Sequence, residues 1–588
     1  MLAPSDRPET GSSRTVVLGF DALSFEYLDE FDLPHFDALR ERASEGPLRS
    51  THPPWTASAW PSIYTGTDPS RHGVYDFFHH GTNYPDEARL ISREDVDAPA
   101  LWNYCSARGL PSITLNVPVT YPTDRIDGVS VPGYLAPEHA PGFPEGIREE
   151  LDDALGEDYR IYSRAETSSD KQAKLAGYLE LIDLRRRAAE YLLSTREWRL
   201  ALIQVQKTDA VFHKLPERDA HRRIYEAADA LLGTVLETVE EGVNVIVCSD
   251  HGIGPMTGYR IYVNDVLRDH GLLEATAEGG RADFGTAKRD LLGEPDGSDE
   301  ASGADGVDDA DIDGAIDVGT GTDADFDTDN DPSASDGGSR VSPAVAAVSA
   351  GASVLGFAGV TPADVYSSAQ RLGLAGLLQA LVPDGAKEGA TERVDWRASR
   401  AYCRSRNELG VRVNLRGREP NGVVPPNEYE AVRSAIVSAL SELRTPDGRP
   451  AFEWVHRREA IHGGPAVEDA ADVLFMPNGM DHAVETELVG RRFVGAEGYD
   501  HKLEGTFIAS GPAFSPTDLD ALSLTDVAPA VMASLGQPVP ARMTGAVPGG
   551  LSKHPVAAES YSDVAIDTGA DSVTDDRVTD RLADLGYL

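Results

Sequence analysis

Three apolar, β-branched runs in the first half of the chain each end beside acidic residues. Thr15 to Phe20 (T-V-V-L-G-F) leads into Asp21, Arg199 to Gln206 (R-L-A-L-I-Q-V-Q) leads into Asp209 with His213, and Val243 to Cys248 (V-N-V-I-V-C) leads into S-D-H-G with Asp250 and His251. Runs apolar on both faces are the mark of strands covered by helices on either side, as in parallel sheets. A further strand is read at Ser112 to Asn116, and helical spacing at Pro34 to Ala43, Lys171 to Arg196 and Glu217 to Glu240. This alternation predicts βα units, an α/β fold and a largely parallel sheet. In such sheets ligands gather at the carboxyl ends of the strands, where Asp21, Asp209 and Asp250 all fall. Strand ends that deliver oxygen and nitrogen donors point to a two-metal hydrolase.

Composition narrows the partners. With 97 acidic residues against 53 basic ones, the formal charge is -44, while the hydrophobic content of 41% is that of a foldable chain. Such a surface suits a salt-adapted protein and disfavours a nucleic-acid polymer, whose phosphates need Lys and Arg. Cys105, Cys248 and Cys403 form no C-x-x-C, so neither a disulfide framework nor a thiolate zinc site is supported. Met1 to Ser13 lacks the charged-then-apolar order of a secretory signal, and the uncharged Val341 to Val360 is mostly Ala, Gly, Ser and Val. A cytoplasmic protein without membrane insertion is the expectation; nothing sets its oligomeric state.

The chain divides by composition. A disordered N-terminus is expected over 1–13, and one catalytic domain over 14–275 and 361–549, with 395–470 as a candidate cap. Between Glu294 and Ser339 there is no Lys or Arg and little that is apolar, so 276–345 reads as a disordered acidic insertion, followed by a small-residue linker or helix at 346–360. Within it Asp309, Asp311, Asp313 and Gly314 resemble the start of a calcium loop, but its twelfth position is Thr320, not Glu. Later elements are a helix at Pro426 to Leu443 and a strand at Glu504 to Ser510, before an acidic tail at 550–588.

The segment Ser50 to Phe78 reads S-T-H-P-P-W-T-A-S-A-W-P-S-I-Y-T-G-T-D-P-S-R-H-G-V-Y-D-F-F. Pro53 and Pro54 suit the turn before a helix, which leaves Thr56 near the N-terminus of a helix over Ala57 to Tyr64. That end of a helix favours anions. A hydroxyl there, beside a divalent ion, can lose its proton at neutral pH and attack phosphorus. Taken alone, Thr56 serves equally well as a plain cap, Asp21 and Asp250 also suit N-caps, and Asp209 with His213 also suits a solvated helix face.

Together these elements resemble the alkaline-phosphatase superfamily and, within it, the type I phosphodiesterase/nucleotide pyrophosphatase family. The likeness rests on the strand ending at Asp21, Thr56 through S-I-Y-T-G to P-S-R-H-G-V, D-A-V-F-H at Asp209 to His213, S-D-H-G at Asp250, and G-Y-D-H followed by F-I-A-S-G-P-A-F. N-V-P-V-T-Y-P from Asn116, Val394-Asp-Trp396, N-L-R-G-R from Asn414 and T-D-V-A-P-A-V from Thr525 are similar to its prokaryotic branch. The resemblance implies an alkaline-phosphatase-like core with Thr56 as nucleophile. One metal would take Asp21, Thr56, Asp250 and His251, and the other Asp209, His213 and His501. This donor set suits two Zn²⁺ ions, or Mn²⁺. The order G-Y-D-H departs from the family's H-G-Y-D, which makes His482 the alternative to His501; His72 in R-H-G-V reads as structural. Phe77 stands where nucleotide-cleaving members carry an Asn, so the resemblance leaves nucleotide preference open.

The expected activity is hydrolysis of a small phosphoric ester, as phosphodiesterase or pyrophosphatase, through a phosphothreonine. A phosphomonoesterase of the same superfamily, or a non-catalytic metal-binding or scaffold protein, are the alternatives. A sulfatase is disfavoured, because Thr56-Ala-Ser-Ala-Trp60 lacks the Cys or Ser with the following Pro and Arg that formylglycine enzymes use.

Overall fold

The computed structural model describes residues 13–80, 88–276, 393–520, 522–561 and 564–568. The expectations for the N-terminal stretch to 12, the acidic insertion from 277 with its calcium-loop-like segment, the 346–360 linker, the start of a second folded stretch at 361 and the tail from 569 lie outside them. The described residues fall in two compact units. The smaller contributes the short antiparallel pair Ala275–Thr276 and Arg393–Val394.

In the larger unit an eight-stranded sheet carries everything else. From edge to edge it runs Leu522–Ser523, Ser44–Arg49, Glu504–Ser510, Asn244–Cys248, Thr15–Phe20, Leu200–Val205, Ser112–Val117 and Gly128–Pro132. All are mutually parallel except Glu504–Ser510, which runs antiparallel to both of its neighbours. Thr15–Phe20 sits at the centre, every residue buried, paired with Leu200–Val205 on one side and Asn244–Cys248 on the other.

Side chains alternate between the two faces of the strands, so the sheet builds two cores. Val16, Leu18 and Phe20 join the core covered by the helices Phe25–Glu30, Pro34–Arg40, Lys171–Thr195 and Arg218–Thr238. Val17 joins the opposite core with Trp60 and Ile63 of the helix Thr56–Thr65 and with Val527 to Met532 of the helix Val527–Ser534. Each large side chain buried in these layers stabilises the fold by about 1.5–3 kcal/mol. The chain is thus a mixed α/β protein with a large, mostly parallel central sheet flanked by helices, as the alternating runs predict.

The expected boundaries hold closely. Lys171–Thr195 and Arg218–Thr238 are single helices, the former capped by the Asp170 carboxylate on the Gln172 N–H. The Pro426 helix opens as a 3₁₀ turn and continues as Tyr429–Ser441. That helix accompanies a four-stranded antiparallel sheet in the order Ala401–Tyr402, Gly410–Val413, Val473–Pro477 and Phe452–Arg457. Among the described residues no helix is long and apolar enough to cross a membrane.

Buried imidazoles give the fold a pH limit. Burial, helped by the neighbouring His462 ring, pushes His52 down from 6.5 to about 3, against the pull of the Phe475 carbonyl. Burial also lowers His72 to about 3 and His462 to about 4. The unfolded chain takes up these protons as pH falls below about 6.5, whereas the fold refuses them until pH 3–4. Their contribution is therefore complete above pH 6.5 and is lost progressively on acidification. Tm should fall between pH 6.5 and 4, and His52→Gln, which keeps a donor for the Phe475 carbonyl, should flatten that slope; equal slopes in thermal melts would show that His52 plays no part.

Candidate active site

The helix Thr56–Thr65 begins immediately after Trp55, so Thr56 occupies its first turn, fully buried, with the positive end of the peptide dipoles around its hydroxyl. Thr56 Oγ1 lies 3.4 Å from Asp21 Oδ1 and 3.5 Å from His251 Nε2. Asp21 follows the central strand, and Asp250 and His251 follow its neighbour; all three are fully buried. His251 Nε2 is 3.2 Å from Asp250 Oδ2 and 3.5 Å from Asp21 Oδ1, while its Nδ1 sits 3.0 Å from the Gly252 carbonyl.

A second set of donors adjoins the first. The helix Lys207–Lys214, which follows the strand Leu200–Val205, carries Asp209 and His213 one turn apart, with His213 Nε2 3.3 Å from Asp209 Oδ1. His501 arrives from the strand Tyr499–Lys502, which pairs with Gly252–Pro255, and its Nε2 lies 3.6 Å from Asp209 Oδ1. The His501 ring stacks on His251 at 3.7 Å between centroids and meets Trp55 at 4.6 Å.

Among the described residues three groups have donor atoms that all lie within 4.8 Å of one another: Asp209, His213 and His501; Asp21, Asp209 and His251; and Asp76, His80 and Glu408. Asp209 belongs to the first two, whereas the expected partition gave it to one metal alone and set Asp250 and Thr56 beside Asp21 and His251. Asp250 completes the arrangement through His251 and by accepting the Ala22 N–H at 3.2 Å. His482 joins no such group among the described residues; its Nδ1 accepts the Tyr259 N–H at 3.0 Å. His72 is buried, bonded to Ser62 at 2.9 Å and to the Val74 N–H at 3.2 Å, as a structural residue would be.

The electrostatics call for a cation. Burial opposes a charged His251, yet the Asp250 carboxylate, then Asp21 and Asp209, outweigh it and raise the imidazole to about 10. Carboxylates packed this tightly away from water repel one another unless positive charge sits among them. The donors are the hard oxygens and imidazoles that divalent ions such as Zn²⁺ and Mn²⁺ accept, so the residues present fit such ions.

Sequence reasoning missed the supports of Asp21. Its Oδ2 accepts from Trp60 Nε1 at 3.2 Å and Gln204 Nε2 at 3.0 Å, and its carbonyl accepts from Thr208 Oγ1 at 2.6 Å. These bonds fix the rotamer of a carboxylate that would otherwise turn away from its charged neighbours. Gln204 carried a signal, being a polar residue inside a strand whose every residue is buried. Trp60 approaches because the strand beside it carries Gly19, where a Cβ would come within 2.1 Å of the indole.

The sequence model of the family described as type I phosphodiesterase / nucleotide pyrophosphatase matches residues 15–361, more than half of the chain. No curated protein sequence matches. Similar solved structures include phosphonoacetate hydrolase from Sinorhizobium meliloti, 13% identical over 89% of this chain and 96% of that one, with a TM-score of 0.46. Murine ectonucleotide pyrophosphatase/phosphodiesterase 5, as an inactive variant in complex with AMP, is 12% identical over 93% and 98% of the two chains, with a TM-score of 0.44.

The clearance around Trp60 is testable. Gly19→Ala should cost about 1–3 kcal/mol by forcing the indole aside. Trp60→Phe removes the bond to Asp21 and the outer part of the buried ring, at about 1–3 kcal/mol, and it also clears the space that a Cβ at Gly19 would enter. Gly19→Ala should therefore cost less in a Trp60→Phe background than alone; equal losses in denaturant titration would show that the indole shifts freely.

Proposed function

Because the chain belongs to the type I phosphodiesterase/nucleotide pyrophosphatase family, a family of phosphoric ester hydrolases, we propose that it hydrolyses a small phosphodiester or pyrophosphate through a covalent phosphothreonine on Thr56. The observation that carries this reading is the buried Thr56 hydroxyl at a helix N-terminus, within 3.5 Å of both Asp21 and His251. Thr56 Oγ bonds to phosphorus as the bond to the leaving oxygen breaks, and water then cleaves the phosphothreonine and restores the hydroxyl. The N-terminal turn of the helix faces the phosphoryl oxygens throughout.

Asp21, Thr56, Asp250 and His251 would hold one divalent ion and Asp209, His213 and His501 another, zinc in our reading. When bound, such ions lower the pKa of the hydroxyl and of water and offset the phosphoryl charge. Asp21 is held in place by Trp60 and Gln204, and the His501 ring is held between Trp55 and His251. A small substrate rather than a nucleic-acid polymer fits the charge of -44, which repels a polyphosphate backbone.

Thr56→Ala should lower the rate on bis-p-nitrophenyl phosphate by about 10³-fold or more while bound metal is retained. Substantial residual turnover in a metal-replete variant would sink the nucleophile assignment. His501→Ala should lose about one metal equivalent per chain on elemental analysis and His482→Ala none; the reverse would move the ligand to His482.

A further inference from the structure

A cavity of about 280 Å³ opens from this site, lined at one end by Trp55, His213 and His501. Its lining also includes Arg260, Arg406 and Glu485. Arg260 stands on the strand Tyr259–Tyr262, which pairs in parallel with Ala483–Glu485 so that Arg260 is registered with Ala483, diagonal to Glu485 on the same face. Arg260 Nη1 donates to Glu485 Oε1 at 3.0 Å. Arg406 comes from the turn between the strands Ala401–Tyr402 and Gly410–Val413, and its Nη1 is 3.9 Å from Glu485 Oε2. Among the described residues Arg406 makes no hydrogen bond, although its side chain is only 20% exposed.

Two guanidinium groups thus share one carboxylate, on a chain that carries 97 acidic residues against 53 basic ones. Partly desolvated arginines are costly to leave with donors unmet, and the planar guanidinium fork matches a carboxylate or phosphate. Two further acids line the cavity, the exposed Glu497 and Asp500, whose Oδ1 accepts the His501 N–H at 2.8 Å; among the described residues neither pairs with Arg260 or Arg406. Resting on the hydrolase reading above, we propose that Arg260 and Arg406 form an oxyanion-binding subsite, and that the organic arm of the substrate carries an ionised carboxylate or phosphate that docks there.

Glu485 reinforces the arrangement. Burial, with Glu487 and Asp500 nearby, raises it to about 7 against the pull of Arg406 and Arg260. It therefore yields its charge easily near neutrality, which leaves both guanidinium groups for an incoming anion. A cationic arm drawn to Glu485 and the aromatic lining is the competing outcome.

The test is equilibrium binding of 2-carboxyethyl phosphate, propyl phosphate and phosphocholine to the full-length protein with its divalent ions, followed by calorimetry. The carboxyethyl compound should bind about tenfold more tightly than the propyl one. Arg406→Met should bring the two together, and Glu485→Gln, which keeps both arginines, should tighten carboxyethyl binding further. Preference for phosphocholine, equal binding of all three, or weaker carboxyethyl binding by Glu485→Gln overturns the proposal. The measurement requires no turnover, so a protein that selects the carboxyethyl compound yet hydrolyses neither bis-p-nitrophenyl phosphate nor p-nitrophenyl 2-carboxyethyl phosphate would refute the hydrolase reading and keep the subsite.

Discussion

Repulsion among Asp21, Asp209 and Asp250, all fully buried, is the constraint around which this molecule is organised. Carboxylates excluded from water are tolerated only where rigid neighbours supply donors or positive charge. The same carboxylates raise the buried His251 imidazole. Holding such a site in place falls to the sheet: three adjacent parallel strands bring their carboxyl ends to one edge, and two apolar cores clamp them from either face.

The donors are short side chains placed by backbone, whereas the cavity beside them is shaped by long side chains from distant segments. Trp55 contributes to both, lying against the His501 ring and lining the cavity. The backbone-placed donors and the side-chain-shaped cavity are thus distinct parts of one region, and a site's function rests on such local features, not on the fold that carries them.

Much of this was legible in the residues, for identifiable reasons. Strands covered on both faces are largely apolar, so Thr15–Phe20 declares its own limits. The acids that follow such runs stand out because packing has no use for them. Ser44–Arg49 (S-E-G-P-L-R) and Gly128–Pro132 (G-V-S-V-P) were not legible, since Gly and Pro weaken any strand signal. Ser44–Arg49 is extended because Glu504–Ser510 pairs with all six of its residues, an interaction far removed in sequence. The Arg260 wall escaped for the same reason, its partner strand being Ala483–Glu485. Trp60 looks like an ordinary core residue until the Asp21 carboxylate is placed beside it.

The antiparallel strand Glu504–Ser510 sits in the middle of the sheet, not at its rim, joining Ser44–Arg49 to Asn244–Cys248. A chain emerging from the ribosome can assemble the parallel half early, yet the gap between those two strands waits for a segment made long after either of them. His501 is delivered by the same segment. Completion of the sheet and completion of the donor set are therefore one late, long-range event, and a nascent or truncated chain ending before this strand would present two open sheet edges and an unfinished site at the same time.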